Sequence, residues 1–329
     1  MLDQVIESKI IDATGCNAIL SRSKVQSLWS GYGSIDRYEL SGGERASVVV
    51  KHVDLAGPVH QPRGGNTNKS HARKLHSYKV ELAWYQRYIQ TLPASCRVAD
   101  CLLAESTEKG FLFILEDLDA SGFCGRRSML MPNSMEGCLD WLAQFHAAFL
   151  GKDLESLWPV GTYWHLATRP DELKAMPDAH PLRTHALELD RALSNCRFRT
   201  VVHGDAKVAN FCFDEESSSV AAVDFQYVGG GCGMKDLAYF LGSCLDEDQC
   251  HEYAEMALAF YFQALRSYLA NPTLADQIEQ EWRALYPVAW ADFNRFLIGW
   301  YPQHHKLHRY SKKMSDQAFD FIKRKQSAK

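Results

Sequence analysis

The chain has 329 residues, 46% of them apolar, with 8 Trp, 14 Tyr and 16 Phe, enough to bury a sizeable core and too hydrophobic for a disordered protein. A formal net charge of −4 lacks the basic excess that marks a nucleic-acid binder, and no apolar stretch approaches the roughly 18 residues a membrane-spanning helix needs. The opening MLDQVIESKI has an early acid and no basic-then-apolar layout, which argues against a secretory signal. The 10 cysteines include no C-x-x-C pair, so reduced thiols of a cytoplasmic chain are expected rather than a disulfide frame or a zinc site.

A short helical N-terminus leads into three strand-like runs, Val25–Trp29, Ile35–Leu40 and Ala46–Val53. The separators Ser30-Gly31-Tyr32-Gly33 and Ser41-Gly42-Gly43 predict hairpins. The Pro/Gly/Asn-rich stretch Gly57–Asn68 predicts a loop, and Leu75–Ile89 an amphipathic helix. Two further strands are expected over Ala99–Ala104 and Phe111–Leu115. Beyond Asp117 the pattern turns helical. Asn133-Ser134-Met135-Glu136 has capping-box spacing, and Met135, Cys138, Leu139, Leu142, Phe145 and Phe149 recur at helical intervals. Thr200–Gln226 holds two or three short strands. Helices follow over Lys235–Leu245, Cys250–Leu269, Leu274–Arg283, Pro287–Tyr301 and near Ser315–Lys325. This is an α+β plan in two lobes, with the boundary near Glu116–Ser121, giving units 1–117 and 118–329.

The strongest chemical signal is Val201-Val202-His203-Gly204-Asp205-Ala206-Lys207-Val208-Ala209-Asn210, an apolar strand entering a tight loop with one acid and an amide five residues later. Val220-Ala221-Ala222-Val223-Asp224-Phe225 is a second apolar run ending in an acid. Two acids at the ends of adjacent buried strands are costly unless their charge is offset. Mg²⁺ does this well, because it takes one or two carboxylates together with phosphate oxygens and water.

This H-G-D-x-x-x-x-N followed by D-F resembles the catalytic and metal-binding loops of the kinase-like superfamily. The resemblance implies a two-lobed protein-kinase-like fold, with a small five-stranded antiparallel N-lobe and a larger, mainly helical C-lobe. It implies Asp205 as the base for the acceptor hydroxyl, Asn210 and Asp224 as ligands of Mg²⁺ on ATP, and Lys207 facing the γ-phosphate. Val48-Val49-Val50-Lys51 is similar to the strand lysine of that superfamily, and Glu81 lies on the next helix as its partner, placing Lys51 on the nucleotide phosphates. Gly31-Tyr32-Gly33 is a degenerate match to a phosphate-covering glycine loop, equally readable as a plain hairpin turn. Phe113-Ile114-Leu115-Glu116-Asp117-Leu118 is similar to the adenine-binding hinge, with Glu116 and Leu118 as its contacts.

Gly204 and Gln226 depart from protein kinases, and no long activation segment follows. The H-G-D loop, the short D-F-Q link and Asp236-Leu237-Ala238-Tyr239-Phe240 resemble the aminoglycoside and choline phosphotransferase group, and within it the ecdysteroid-kinase-like branch. Pro62-Arg63-Gly64-Gly65-Asn66-Thr67 with Ser70–Lys74, Ser77–Glu81 and Leu115–Leu118 support that branch. Lys207 departs from it, standing where an aromatic is common.

The resemblance therefore implies transfer of the γ-phosphoryl group of ATP to a hydroxyl of a small organic molecule, by a monomer or weak homodimer with no nucleic-acid or membrane partner. The alternatives are a nucleotide-binding pseudo-kinase acting as an interaction module, and a protein kinase. Asp236 is expected to cap its helix or brace the loop, and His203 to position the loop. His146 reads as structural. His251, His304, His305 and His308 form no metal spacing and read as surface residues. Trp290, Phe293, Phe296, Trp300 and Tyr301 read mostly as helix core, with some expected in the acceptor pocket. The basic residues Arg63, Lys69, Arg73 and Lys74 fit either a loop over phosphates or a solvated loop.

Overall fold

The computed structural model describes residues 2–28, 31–55, 68–216 and 218–327. Residues 57–67 of the expected loop Gly57–Asn68, including Arg63, and the ends of the first strand and turn at Trp29 and Ser30 lie outside those residues, whereas Asn68 begins a helix. Helix α1 (Leu2–Thr14) opens the chain. Strands β1 (Ala18–Ser27), β2 (Gly33–Ser41) and β3 (Ser47–Asp54) follow, then helix α2 (Asn68–Arg87) and strands β4 (Cys101–Thr107) and β5 (Gly110–Glu116). The five strands pair antiparallel in the order β1-β2-β3-β5-β4. β1 starts seven residues before the expected Val25. It is an edge strand exposed along almost its whole length, so its sequence lacks the one-sided apolar alternation that announces a half-buried strand.

Alternation along the central strands sorts their side chains onto two faces. Val48, Val50, Leu112 and Ile114 pack with Tyr38, Leu40 and the α1 residues Ile6 and Ile10. Val53, Phe111, Phe113 and Leu115 face the other way, onto Tyr78, Trp84 and Tyr85 of α2. Lys51 has the same parity as Val53, so the pleat carries its ammonium into the apolar side that α2 covers.

The remainder is mainly helical. Helix α3 spans Glu136–Ala148, preceded by a 3-10 turn at Pro132–Met135. Its N-cap is Met135, with no side-chain cap, so the expected capping box does not form. Three short helices come next, α4 (Pro170–Ala175), α5 (Pro181–Thr184) and α6 (Ala186–Ser194). Two small antiparallel ribbons then form: β6 (Thr200–Val202) with β9 (Gly229–Gly231), and β7 (Phe211–Phe213) with β8 (Val220–Ala222). Helices α7 (Met234–Cys244), α8 (Glu247–Tyr268), α9 (Pro272–Trp300) and α10 (Arg309–Ser327) complete the chain.

The start of α8 is fixed by a capping box between Asp246 and Gln249, and α9 begins with Asn271 accepting from Leu274 N and Pro272 at its first turn. The expected pair of helices either side of Pro287 is instead the single helix α9. A proline removes one helical hydrogen bond at about 3 kcal/mol. Here Leu285, Tyr286, Val288, Ala289 and Trp290 are all buried, and their packing offsets it. No helix among the described residues is long and apolar enough to cross a membrane.

Trp84 joins the sheet side to the helical side. Its indole stacks on Phe225 at 4.7 Å and 18°, and lies 5.7 Å from the rings of both Phe145 and Phe149 of α3. Truncating a fully buried aromatic of this kind costs about 3–5 kcal/mol. We expect Trp84→Ala to lower stability by that amount, read as a fall in the urea midpoint at unchanged slope. A loss under 1 kcal/mol would show that the two sides do not depend on this contact.

Candidate active site

The site is assembled by short strands whose ends meet. Phe211 pairs with Ala222 across the β7–β8 ribbon, and Val223 N donates to Asn210 O at 2.9 Å. The residues just before β7 and just after β8 are therefore adjacent, which brings Asn210 beside Asp224. Asn210 Nδ2 donates to the Asp205 carbonyl at 2.8 Å and to its Oδ2 at 3.1 Å. With its nitrogen engaged in this way, the amide oxygen Oδ1 is the Asn210 atom suited to a cation. Lys207 Nζ also bonds Asp205 Oδ2, at 3.2 Å.

The loop around Asp205 is braced from behind. Asp236, in the first turn of α7, does not cap its own helix. Its Oδ2 accepts from His203 N at 2.6 Å and its Oδ1 from Gly204 N at 2.9 Å. His146 Nε2 lies 3.1 Å from Oδ2, and His146 Nδ1 lies 2.7 Å from the Tyr261 hydroxyl. His203 accepts from Asp205 N at Nδ1 (3.3 Å), and its Nε2 lies 3.0 Å from Val223 O. The tautomer that suits both carries its proton on Nε2. Gly204 has φ +81°, and a β-carbon there would lie 2.1 Å from Tyr227 O. That close approach excludes any larger residue at the position, including arginine.

Lys51 Nζ bonds both oxygens of Glu81 at 2.7 Å and lies 3.9 Å from Asp224 Oδ1. Lys51 and Glu81 are buried, whereas the side chains of Asp224 and Lys207 are 36% and 38% exposed, so the cluster opens to solvent on their side. Asp224 itself has φ +69°, a left-handed conformation uncommon for a residue with a side chain.

Charge is unevenly distributed over the cluster. Burial pushes the Asp205 carboxyl up, Lys207 pulls it down, and the neighbouring charge of Asp224 raises it again; the net shift is upward. Burial acts on Asp224 in the same sense, but Lys51, Lys74 and Lys207 together hold it below the usual carboxylate range. Two neighbouring acids are thus driven apart, a pattern typical of sites where carboxylates have different tasks.

The remaining expected contacts are placed as follows. Glu116 ends β5, and its carboxylate is engaged by Arg97, Asp100 N (2.9 Å) and Ser121 Oγ (2.5 Å). Leu118 is buried, and its carbonyl accepts from Ser121 N and Phe123 N. Gly31 and Gly33 flank Tyr32, whose ring is buried and whose hydroxyl lies 2.7 Å from His71 Nδ1. A β-carbon at Gly33 would sit 2.0 Å from His52 O, so β2–β3 pairing alone requires that glycine. Arg73 bonds Thr168 O and Lys74 bonds Gln226, whereas Lys69 is exposed. Two cavities of about 500 and 470 Å³ lie elsewhere, near Arg97 and Trp141 and near Leu75 and Lys79, and neither is lined by the cluster. Among the described residues, no group of three or more His, Cys, Asp or Glu forms a metal cage.

Phe293 and Phe296, expected among the late aromatics, belong to an aromatic cluster with Tyr239, Trp164 and Tyr163, the last two of which the sequence did not single out. Tyr163 lies 5.5 Å from Tyr239 and 5.4 Å from Phe296, and Trp164 packs on Tyr239 and Phe293. Lys306 sits over the rings of Tyr239 (5.3 Å) and Phe293 (6.0 Å), and burial pushes its ammonium down to about 8. Of the late aromatics, Trp290, Phe293 and Phe296 are buried, whereas Trp300 and Tyr301 are exposed.

Superposition on solved structures puts this geometry in context. An amicoumacin kinase, solved with AMP-PNP, Ca²⁺ and Ami, aligns over 98% of this chain and 93% of its own at a TM-score of 0.57 and 12% identity. A candidate aminoglycoside phosphotransferase from Ralstonia eutropha aligns over 97% of this chain and 95% of its own at 0.52 and 12% identity. The fold is that of the kinase-like phosphotransferases. The ecdysteroid kinase-like family model matches residues 184–274, a span that holds Asp205, Asn210, Asp224, Gln226 and Asp236 but not Lys51 or Glu81. No curated protein matches the chain by sequence.

The raised carboxyl of Asp205 has a consequence for stability. A carboxyl with a higher folded than unfolded pKa binds more protons when folded, so stability falls as pH rises through that interval. Asp205→Asn removes this penalty while keeping an acceptor for Asn210 and Lys207. Thermal melts at pH 7 should show a gain of roughly 2 °C. The gain should shrink as pH falls through the raised pKa towards the usual aspartate range. A variant less stable than the wild type at pH 7 would contradict this assignment.

Proposed function

We propose that the protein is a cytoplasmic ATP- and Mg²⁺-dependent phosphotransferase that moves the γ-phosphoryl group of ATP to a hydroxyl of a small organic molecule. The observation that carries this reading is the convergence of Asp205, Asn210 and Asp224 beside the buried Lys51–Glu81 pair. The donor set fits Mg²⁺. Asp224 and Asn210 offer hard oxygens, with coordination left for phosphate and water. All ten cysteines are free thiols, which supports a reducing compartment.

In this reading the nucleotide lies between the sheet-bearing part, 1–117, and the helical part, 118–329. Backbone groups around Glu116 and Leu118 face adenine, and the turn at Gly31 and Gly33 covers the phosphates. Glu81 holds Lys51 extended towards the α- and β-phosphates. Mg²⁺ held by Asn210 and Asp224 would neutralise phosphate charge and fix the phosphoryl group for in-line displacement. Asp205 Oδ accepts a hydrogen bond from the acceptor hydroxyl. As the new O–P bond forms and the bond to the β-phosphate oxygen breaks, the hydroxyl proton passes to Asp205. Its raised pKa makes it a better base than an ordinary aspartate. Lys207 Nζ, held at 3.2 Å from Asp205, stabilises charge on the transferring group. Protein positioning and charge neutralisation supply most of the rate. Tyr163, half-buried, gives the acceptor an aromatic face, with the buried Tyr239 and Phe293 packed behind it.

Asp205→Ala is expected to abolish ADP release with a turned-over alcohol, a loss of at least about 10³-fold, while retaining AMP-PNP binding. Asp224→Ala should lose both turnover and the Mg²⁺-dependent part of nucleotide affinity. The check is an ADP-release screen over a metabolite library, with isothermal titration calorimetry for binding. Wild-type activity in either variant would refute the mechanism. Nucleotide binding with no turnover of any acceptor would favour a pseudo-kinase.

A further inference from the structure

Gln226 follows Phe225 where the chain leaves the site. Its side chain is buried and bonded at both ends. Nε2 donates to Asp224 Oδ1 at 2.8 Å. Oε1 accepts from Lys74 Nζ at 2.6 Å and from Ser77 Oγ at 3.2 Å. Its backbone carbonyl accepts from Trp158 Nε1 at 2.8 Å, which fixes the residue's own position.

Lys74, Ser77 and Glu81 lie on α2 at spacings of three and four residues, hence on one face. Glu81 holds Lys51, and Lys51 Nζ is 3.9 Å from the same Asp224 Oδ1 that Gln226 bonds. The contacts close a ring that runs from α2 through Lys51 to Asp224, and back to α2 through Gln226. Asp224 needs such support. It sits on a left-handed backbone with a side chain that is 36% exposed, so neither backbone preference nor packing fixes its carboxylate.

We propose that Gln226 is a positioning residue, whose amide pins the Asp224 carboxylate for a divalent cation and ties it to α2, so that the cation site and the Lys51–Glu81 pair are set together. This rests on the reading of Asp224 as a cation ligand. The carboxamide suits the task because one end donates to a carboxylate while the other accepts from an ammonium. Glutamate would keep the bond to Lys74 but lose the donor. Methionine would lose both. Lys74→Met would leave the amide in place but free to turn.

The test measures AMP-PNP affinity by calorimetry with and without MgCl₂, with thermal melts as a check of folding. In wild type, Mg²⁺ strengthens binding. Gln226→Met and Gln226→Glu should each reduce that strengthening about tenfold, the worth of one hydrogen bond to a charged group, and leave metal-free affinity within about twofold. Lys74→Met should reduce it by roughly threefold. Asp224→Asn should abolish it. If Gln226→Met fails to fold, Gln226→Glu and Lys74→Met decide the matter. Full Mg²⁺ strengthening in the Gln226 variants overturns the proposal, as does an equal loss with and without Mg²⁺. If Asp224→Asn keeps the strengthening, or wild type shows none, the cation-ligand reading itself falls and the proposal with it.

Discussion

Lys51 and Glu81 face each other across the sheet–helix interface with almost no access to water, two bonds of 2.7 Å joining them. Removing two charges from water costs several kcal/mol each, and their mutual attraction does not reliably repay it. Burial pushes the Glu81 carboxyl up even with the lysine beside it, so the pair is a poor source of stability. What it provides is a fixed ammonium. Lys51 cannot withdraw to solvent, because β3 pairs with β2 and β5 along its whole length. It also lies over the rings of Tyr78 and Phe113. Through α2 the pair is also tied to Gln226 and so to Asp224.

The loop bearing Asp205 solves the opposite problem. It is backbone, not side chain, that must be held there, and a buried loop has amide donors with no ladder to join. Asp236 supplies an acceptor for two consecutive N–H groups, and His146 and Tyr261 extend the network into the helical core. Asp236 and Asp205 are both buried, but Asp236 is held by two backbone N–H groups, whereas Asp205 is met by the side chains of Asn210 and Lys207. The contrast separates a structural acid from one left with a task.

How much of this was legible in the sequence depended on whether a residue's role is local. Asp205, Asn210 and Asp224 announce themselves because each ends or follows a short apolar run, and two adjacent ribbons bring those ends together. Lys51 and Glu81 were legible only through their resemblance to the strand lysine and helix glutamate of the kinase-like superfamily, since a lone lysine on a strand reads as a solvated edge charge. Gln226 was not, because its partners Lys74 and Ser77 lie some 150 residues earlier and only the folded chain shows the contact. Part of the aromatic cluster was hidden likewise. Tyr163 and Trp164 come from an irregular stretch that gives no period, and Lys306 from a turn between two helices. β9 was missed because Gly229, Gly230 and Gly231 carry no side chains to form a pattern. The division of α9 at Pro287 failed for an energetic reason: burial on both sides outweighed one lost hydrogen bond.

These features share a direction of compromise. Asp205 is held in a setting that disfavours its charge, Asp224 on a backbone conformation that disfavours a side chain, and Lys306 with its ammonium pushed down to about 8. Each would be a defect elsewhere in the fold, and here Asp205 acts electrostatically on both of the others. The energy that tolerates them comes from the continuous apolar core behind, where Trp84, Phe145 and Phe225 interlock. Phe225 stands between the two regimes. Its ring is part of that core, and its neighbours in sequence, Asp224 and Gln226, are the polar residues that the core keeps in place. A side chain that anchors a loop by its apolar middle leaves the flanking polar groups little freedom, which is what a site that must meet charged oxygens at fixed distances requires.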